Sequence, residues 1–263
     1  MSNVQGTQAK KVLPIIYAID TSGSMDGDRN AHVNQAMREC ENVLKEKMLE
    51  KPDAEIKLGV IKFASGAQWV TKSGLISLED FYWNDVTAGG VTDLGAAINE
   101  IESKLSRTAF LVSETGFYLP VIIFMSDGGP NDDWQKALKN ANDNNIWFKN
   151  ARKIAIAIGD GADRDVLKEL VGNIEAVIKS NDLETLKQLI VAVSVSAGML
   201  AAQSRPVNDK VSGSDILNNA EKIINGDAEV ERVTAAPVVN PDIDKDANAD
   251  ADVNWNVDAW NDN

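Results

Sequence analysis

Val12-Leu13-Pro14-Ile15-Ile16-Tyr17-Ala18-Ile19 runs straight into Asp20-Thr21-Ser22-Gly23-Ser24-Met25. The apolar part, Leu13 to Ile19, reads as a buried strand that stops at a carboxylate. The polar part reads as the loop before a helix, because an amphipathic pattern covers about Asp28 to Leu49. A strand, a short polar loop and a helix form the opening half of a βα unit.

The same alternation continues outward from this stretch. Glu55–Phe63 and Ala67–Thr71 are expected as two strands joined at Ala64-Ser65-Gly66, a hairpin signal. A helix is expected from about Thr92 to Leu105, with Leu94, Ile98, Ile101 and Leu105 on one face. Leu119–Met125 is a continuous apolar run that ends at Ser126-Asp127-Gly128-Gly129-Pro130, a strand and then a sharp turn. Helix Asp133–Asn144, strand Lys153–Ile158, helix Arg164–Val171, strand Ile174–Ile178 and helix Leu183–Leu200 follow. Right-handed βαβ crossovers then give an α/β fold: a doubly wound, mostly parallel sheet with one antiparallel edge strand and helices on both faces. The expected organisation is an N-terminal extension over 1–11, a domain over 12–203, a linker with room for a short helix over 204–236, and a tail over 237–263.

Composition narrows the function classes. Forty-four per cent hydrophobic and 25% charged residues are ordinary for a globular protein that needs no disulfides. The one cysteine, Cys40, lies in the apolar-periodic run Val33-Met37-Cys40-Val43-Leu44 and reads as a packed core thiol. No secretory signal is visible, and no apolar stretch approaches the roughly 18 residues of a membrane span, so the cytoplasm is the expected location. A net charge of −14 argues against nucleic acid or anionic membrane as the main partner. Acidic groups are bound by such a protein only where something positive mediates.

Asp20, Ser22, Ser24, Thr92 and Asp127 are the candidate mediators' ligands. In a doubly wound sheet, ligands bind beyond the carboxyl ends of strands where strand order reverses. Asp20 and Asp127 close two expected strands, and Thr92 follows Gly89-Gly90 at a helix start. Two carboxylates and three hydroxyls are hard oxygen donors, suited to Mg²⁺, Mn²⁺ or Ca²⁺. In Asp20-x-Ser22-x-Ser24, alternate side chains of an extended backbone point the same way. The residues also have a plainer use, since Thr92 could be a helix N-cap and Asp127 could open a turn.

Three segments together, Asp20-Thr21-Ser22-Gly23-Ser24-Met25, Gly90-Val91-Thr92-Asp93-Leu94-Gly95 and Met125-Ser126-Asp127-Gly128, resemble a von Willebrand factor type A domain with an intact metal-ion-dependent adhesion site. The resemblance spans roughly Val12 to Gln203. Asp127-Gly128-Gly129-Pro130-Asn131-Asp132-Asp133-Trp134-Gln135-Lys136 and Val193-Ser194-Val195-Ser196 are similar to TerY-type members of tellurite-resistance operons. The resemblance implies that Ser22, Ser24 and Thr92 reach a metal ion directly or nearly so, with Asp20 and Asp127 acting largely through water. It also implies a cytoplasmic, non-enzymatic adaptor of a stress or phage-defence system. Its partner would offer an acidic group, and could be a kinase, a phosphatase or another protein of the Ter system.

An enzyme is the competing expectation. A phosphotransferase with an Asp nucleophile wants a second carboxylate two residues on, and here that position is Ser22. There is no phosphate-binding Gly-x-x-x-x-Gly-Lys loop and no Ser-His-Asp set; the single histidine, His32, falls in the first helix. A Mg²⁺-dependent phosphohydrolase is therefore the second choice. A third sets function in the tail, where the last 27 residues hold seven aspartates against one lysine and should be disordered in isolation. Asp242-x-Asp244-x-Asp246 fails as a calcium loop because Ala247 and Val253 stand where Gly and Glu are needed. Trp255, Asp258 and Trp260 nevertheless suit a docking peptide, tryptophan being common at interface hot spots. A plain solubilising tail is equally compatible with that composition.

Overall fold

A computed structural model describes residues 10–48, 54–72, 74–180, 182–201, 212–224 and 231–232. The tail with Trp255, Asp258 and Trp260, most of the N-terminal extension and the expected helix end at Leu49 lie outside the described residues. In chain order the elements are β1 (Val12–Asp20), α1 (Asp28–Met48), β2 (Glu55–Ala64), β3 (Gly66–Trp69), β4 (Ile76–Ser77) and α2 (Leu94–Lys104). Then come β5 (Val121–Ser126), α3 (Trp134–Asn144), α4 (Ile146–Asn150), β6 (Arg152–Ile158), α5 (Arg164–Val171), β7 (Val177–Ser180), α6 (Leu183–Ala201), α7 (Gly213–Ile223) and β8 (Glu231–Arg232).

The sheet runs β3-β2-β1-β5-β6-β7-β8, with β4 also on β2. Strands β2, β1, β5, β6 and β7 are parallel, β3 is the expected antiparallel edge, and the two-residue β4 and β8 also pair antiparallel. Every residue of β1 and β5 is buried because helices cover both faces, and this is why their sequences read as continuous apolar runs. Side-chain alternation divides them between two cores. Leu13, Ile15, Tyr17, Ile19, Val121, Ile123 and Met125 meet α1, α6 and α7 on one face. Ile16, Ala18, Ile122 and Phe124 meet α2, α3 and α5 on the other.

Helix α6 lies between α1 and α7 and is accordingly apolar nearly all round. Helix α7 falls in the stretch expected as a linker with a short helix, and its Ile216, Leu217 and Ala220 are fully buried in the same core as α6. A capping box starts it, with the Ser212 side chain accepting from Asp215 N–H while Asp215 accepts from Ser212 N–H. Several expected boundaries shift, among them β5, which starts at Val121 and not Leu119. Ile174–Ala176 forms a 3₁₀ turn instead of strand, because Asn173 accepts from Glu175 N–H and holds the turn closed, so β7 starts at Val177. Helix α2 starts at Leu94, two residues after the expected Thr92.

For the site the decisive feature is the order reversal. From β1 the chain goes to β2 on one side, and the next parallel strand, β5, sits on the other. A crevice therefore opens above the carboxyl ends of β1 and β5, where Asp20 ends one strand and Asp127 follows the other.

Candidate metal centre

Three loops meet above that crevice, and backbone hydrogen bonds hold them in register. Thr21 N–H donates to Phe63 O at 2.8 Å, tying the β1 exit to the end of β2. Gly89 N–H donates to Thr21 O (2.8 Å) and Gly23 N–H donates to Gly90 O (2.9 Å), so loop 89–93 is clasped twice to loop 20–24. Thr92 is held from the other side by Asn131, which accepts from Thr92 N–H and donates its own N–H to Thr92 O, both at 2.8 Å. These bonds commit the Thr92 backbone to a loop and explain why the helix starts later.

Two glycines make the close approach possible. Gly90 has φ 90°, and a Cβ there would stand 2.6 Å from Ser65 Oγ. Gly128 has φ 78°, and a Cβ would meet the Asp163 backbone at 2.7 Å, where Asp163 N–H donates to Asp127 O.

The candidate side chains form a hydrogen-bonded chain with a definite direction. Ser22 N–H donates to Asp20 Oδ1 (2.8 Å) and Ser126 Oγ donates to Asp20 Oδ2 (2.6 Å). Ser24 Oγ donates to Asp127 Oδ1 at 3.0 Å. Its single proton is then used, so in the 3.0 Å contact between the two serine hydroxyls it is Ser22 that donates to Ser24. Acceptor lone pairs on both hydroxyls are left unused by these bonds. The Thr92 hydroxyl has no hydrogen-bond partner among the described residues, and its oxygen is not one of the buried atoms left unpartnered. Burial grades from Asp20, fully buried, to Ser24, which is exposed.

Burial raises the Asp20 carboxyl pKa, the hydrogen bonds from Ser126 and Ser22 work against that, and the Asp127 charge adds to the rise. Both Asp20 oxygens only accept, the pattern of an ionised carboxylate. Oxygen donors predominate here, and among the described residues no group of three or more His, Cys, Asp or Glu side chains is assembled for a metal. The site's surplus of acceptors fits a hard cation.

Two participants escaped the sequence reading. Ser126 orients Asp20 from the next strand, a role that depends on β1–β5 pairing. Arg29 donates through Nη1 to Asp127 Oδ2 (2.8 Å) and to Ser24 O (2.9 Å). Its signal was present in the sequence: it is the second residue of α1, and the helix dipole disfavours a cation there.

The chain belongs to the von Willebrand factor type A domain family, whose model matches residues 15–191. Among solved structures, a von Willebrand factor type A protein from Catenulispora acidiphila is 16% identical with a TM-score of 0.53, over 72% of this chain and 43% of that one. Proximal thread matrix protein 1 from the mussel byssus, solved with a zinc-occupied metal-ion-dependent adhesion site, is 18% identical with a TM-score of 0.52, over 72% and 49%. The pilus adhesin SpaC from Lactobacillus rhamnosus GG is 13% identical with a TM-score of 0.55, over 73% and 30%. This chain thus spans less than half the length of each, and at these identities the likeness concerns the fold. No curated protein matches by sequence.

Proposed function

We propose that Asp20, Ser22, Ser24, Thr92 and Asp127 hold a divalent ion, Mg²⁺ or else Mn²⁺ or Ca²⁺, and that the chain is a non-enzymatic adaptor binding an acidic group of a partner protein. The observation that carries this is the directed chain Ser22→Ser24→Asp127, which leaves hydroxyl lone pairs unused beside two carboxylates. When bound, the ion supplies a Lewis-acidic position for a carboxylate oxygen. The protein's own part is to fix the donors: the loop clasp sets Ser22, Ser24 and Thr92, and Ser126 sets Asp20. Hard-oxygen chemistry favours Mg²⁺ for this chain, whereas the mussel protein was solved with zinc.

The finer assignment, a TerY-like adaptor of a cytoplasmic tellurite-resistance, stress or phage-defence system with Ter-system kinase, phosphatase or other Ter partners, is supported by the Asp127–Lys136 and Val193–Ser196 motifs. No helix among the described residues is long and apolar enough to cross a membrane. The test is calorimetric titration of the full chain with Mn²⁺ and Mg²⁺, followed by Mg²⁺-dependent capture of Ter-system proteins with and without EDTA. Unchanged capture in EDTA excludes the ion bridge and leaves the tail with Trp255, Asp258 and Trp260 as the contact. Mg²⁺-dependent turnover of a phosphoester would instead establish the phosphohydrolase.

A further inference from the structure

A charge count exposes a difficulty in the metal assignment, on which the following rests. A divalent ion contributes two positive charges, and ionised Asp20 and Asp127 cancel both. The loaded site would be neutral, inside a chain of net charge −14. Such a site has no electrostatic reason to prefer a carboxylate over a neutral oxygen ligand such as water.

We infer that Arg29 supplies the missing charge and is the specificity-determining residue that makes the loaded site select an anion. Its guanidinium is held at three points. It bonds Asp127 Oδ2 and Ser24 O, and it lies against Gly159, where a Cβ would stand 3.1 Å from both Nε and Nη2. Each point comes from a different strand exit, those of β5, β1 and β6. The Arg29 side chain stays 39% exposed beside an Asp127 that is 8% exposed, so it faces both the site and the solvent from which a partner arrives. On the adjoining loop Asp160 is paired with Lys179, while Asp163 caps α5 by accepting from Val166 N–H. Helix stability does not account for Arg29, since its position opposes the dipole of α1.

This placement gives Arg29 opposite effects on the two ligands. It opposes the cation, because it occupies Asp127 Oδ2 and repels a second positive charge. It favours the anion, because it adds one positive charge beside the ion. A residue with a merely structural role would weaken both ligands when removed.

The experiment uses the full chain, with Mn²⁺ binding read by calorimetry and acetate binding to the Mn²⁺-loaded protein read by water-proton relaxation. Arg29→Gln should bind Mn²⁺ about tenfold more tightly than the parent chain and acetate about tenfold more weakly. Arg29→Met should match it, and Arg29→Lys should track the parent chain in both. Equal values for the parent chain and both neutral variants, or losses of both ligands together, overturn the role of Arg29 while leaving the metal site standing. A parent chain that binds no Mn²⁺ overturns the site and the inference together.

Discussion

Strand β1 carries two polar clusters three residues apart, and they are built on opposite plans. At Tyr17 the network is closed. The Tyr17 hydroxyl donates to Ser194 Oγ (2.8 Å), and Ser194 Oγ donates to Ile190 O (2.6 Å). Cys40 Sγ completes the cluster at 3.6 Å from the Tyr17 oxygen. All three side chains are buried, and burial keeps them neutral: the Tyr17 pKa rises well above its usual value and that of Cys40 is pushed up to about 11. At Asp20 the network is open, with charged carboxylates, more acceptors than donors and an exposed end at Ser24. A polar group inside a protein must be hydrogen-bonded, and a charged one must be paired with an opposite charge or completed by a ligand. One strand shows both solutions.

Mutation separates them. Asp127→Ala, or Asp20→Ala, should weaken Mn²⁺ binding by about 100-fold or more in calorimetry while the chain stays folded by circular dichroism. Affinity retained within a few fold would mean that the open cluster is structural. Saturating the parent chain with Mn²⁺ at ~100 times its Kd should stabilise it by about 2.7 kcal/mol in urea unfolding, and EDTA should reverse the gain. Tyr17→Phe should cost about 1 kcal/mol in the same assay, because it leaves Ser194 without its donor while keeping the ring. Its Mn²⁺ affinity should equal that of the parent chain; a shared loss would show that the clusters are coupled.

A separate test concerns Cys40. At pH 8 in the folded chain it should fail to react with a disulfide reagent that labels it readily in urea. The thiol pKa is raised on folding, from 9.0 to about 11. Its linked stability is thus fully present below pH 9.0 and lost as pH rises through about 11. Unfolding free energies measured across that window should fall on the alkaline side.

How far the sequence could be read follows from burial. Strands β1 and β5, and β6 from Ile154 onward, were legible because burial on two faces leaves an unbroken apolar run, and β3 because Gly66, at φ 83°, marks the tight turn before it. The two-residue β4 and the five-residue α4 are too short to carry a period. The expected start of β5 at Leu119 fell two residues early, since the ladder with β1 and β6 begins at Val121. In the site, residue types and their order named the oxygen donors. Partners acting across the fold are not named that way: Ser126 meets Asp20 only once β1 and β5 pair, and Arg29, though marked as a cation at a helix start, reaches Asp127 across 98 positions of sequence.

The register of β1 has a mechanical consequence. It pairs with β2 from Val12 to Asp20 and with β5 from Ile15 to Ile19, all in parallel. Asp20 and Asp127 sit at the same end of two neighbouring strands. A tension applied there along the strand axis loads these ladders in shear, so that many rungs resist at once instead of parting one by one. The loop clasp at Thr21–Gly89 and Gly23–Gly90 spreads the same tension to the segment leading into α2. A partner held at this site would pull on the middle of the sheet and not on its rim.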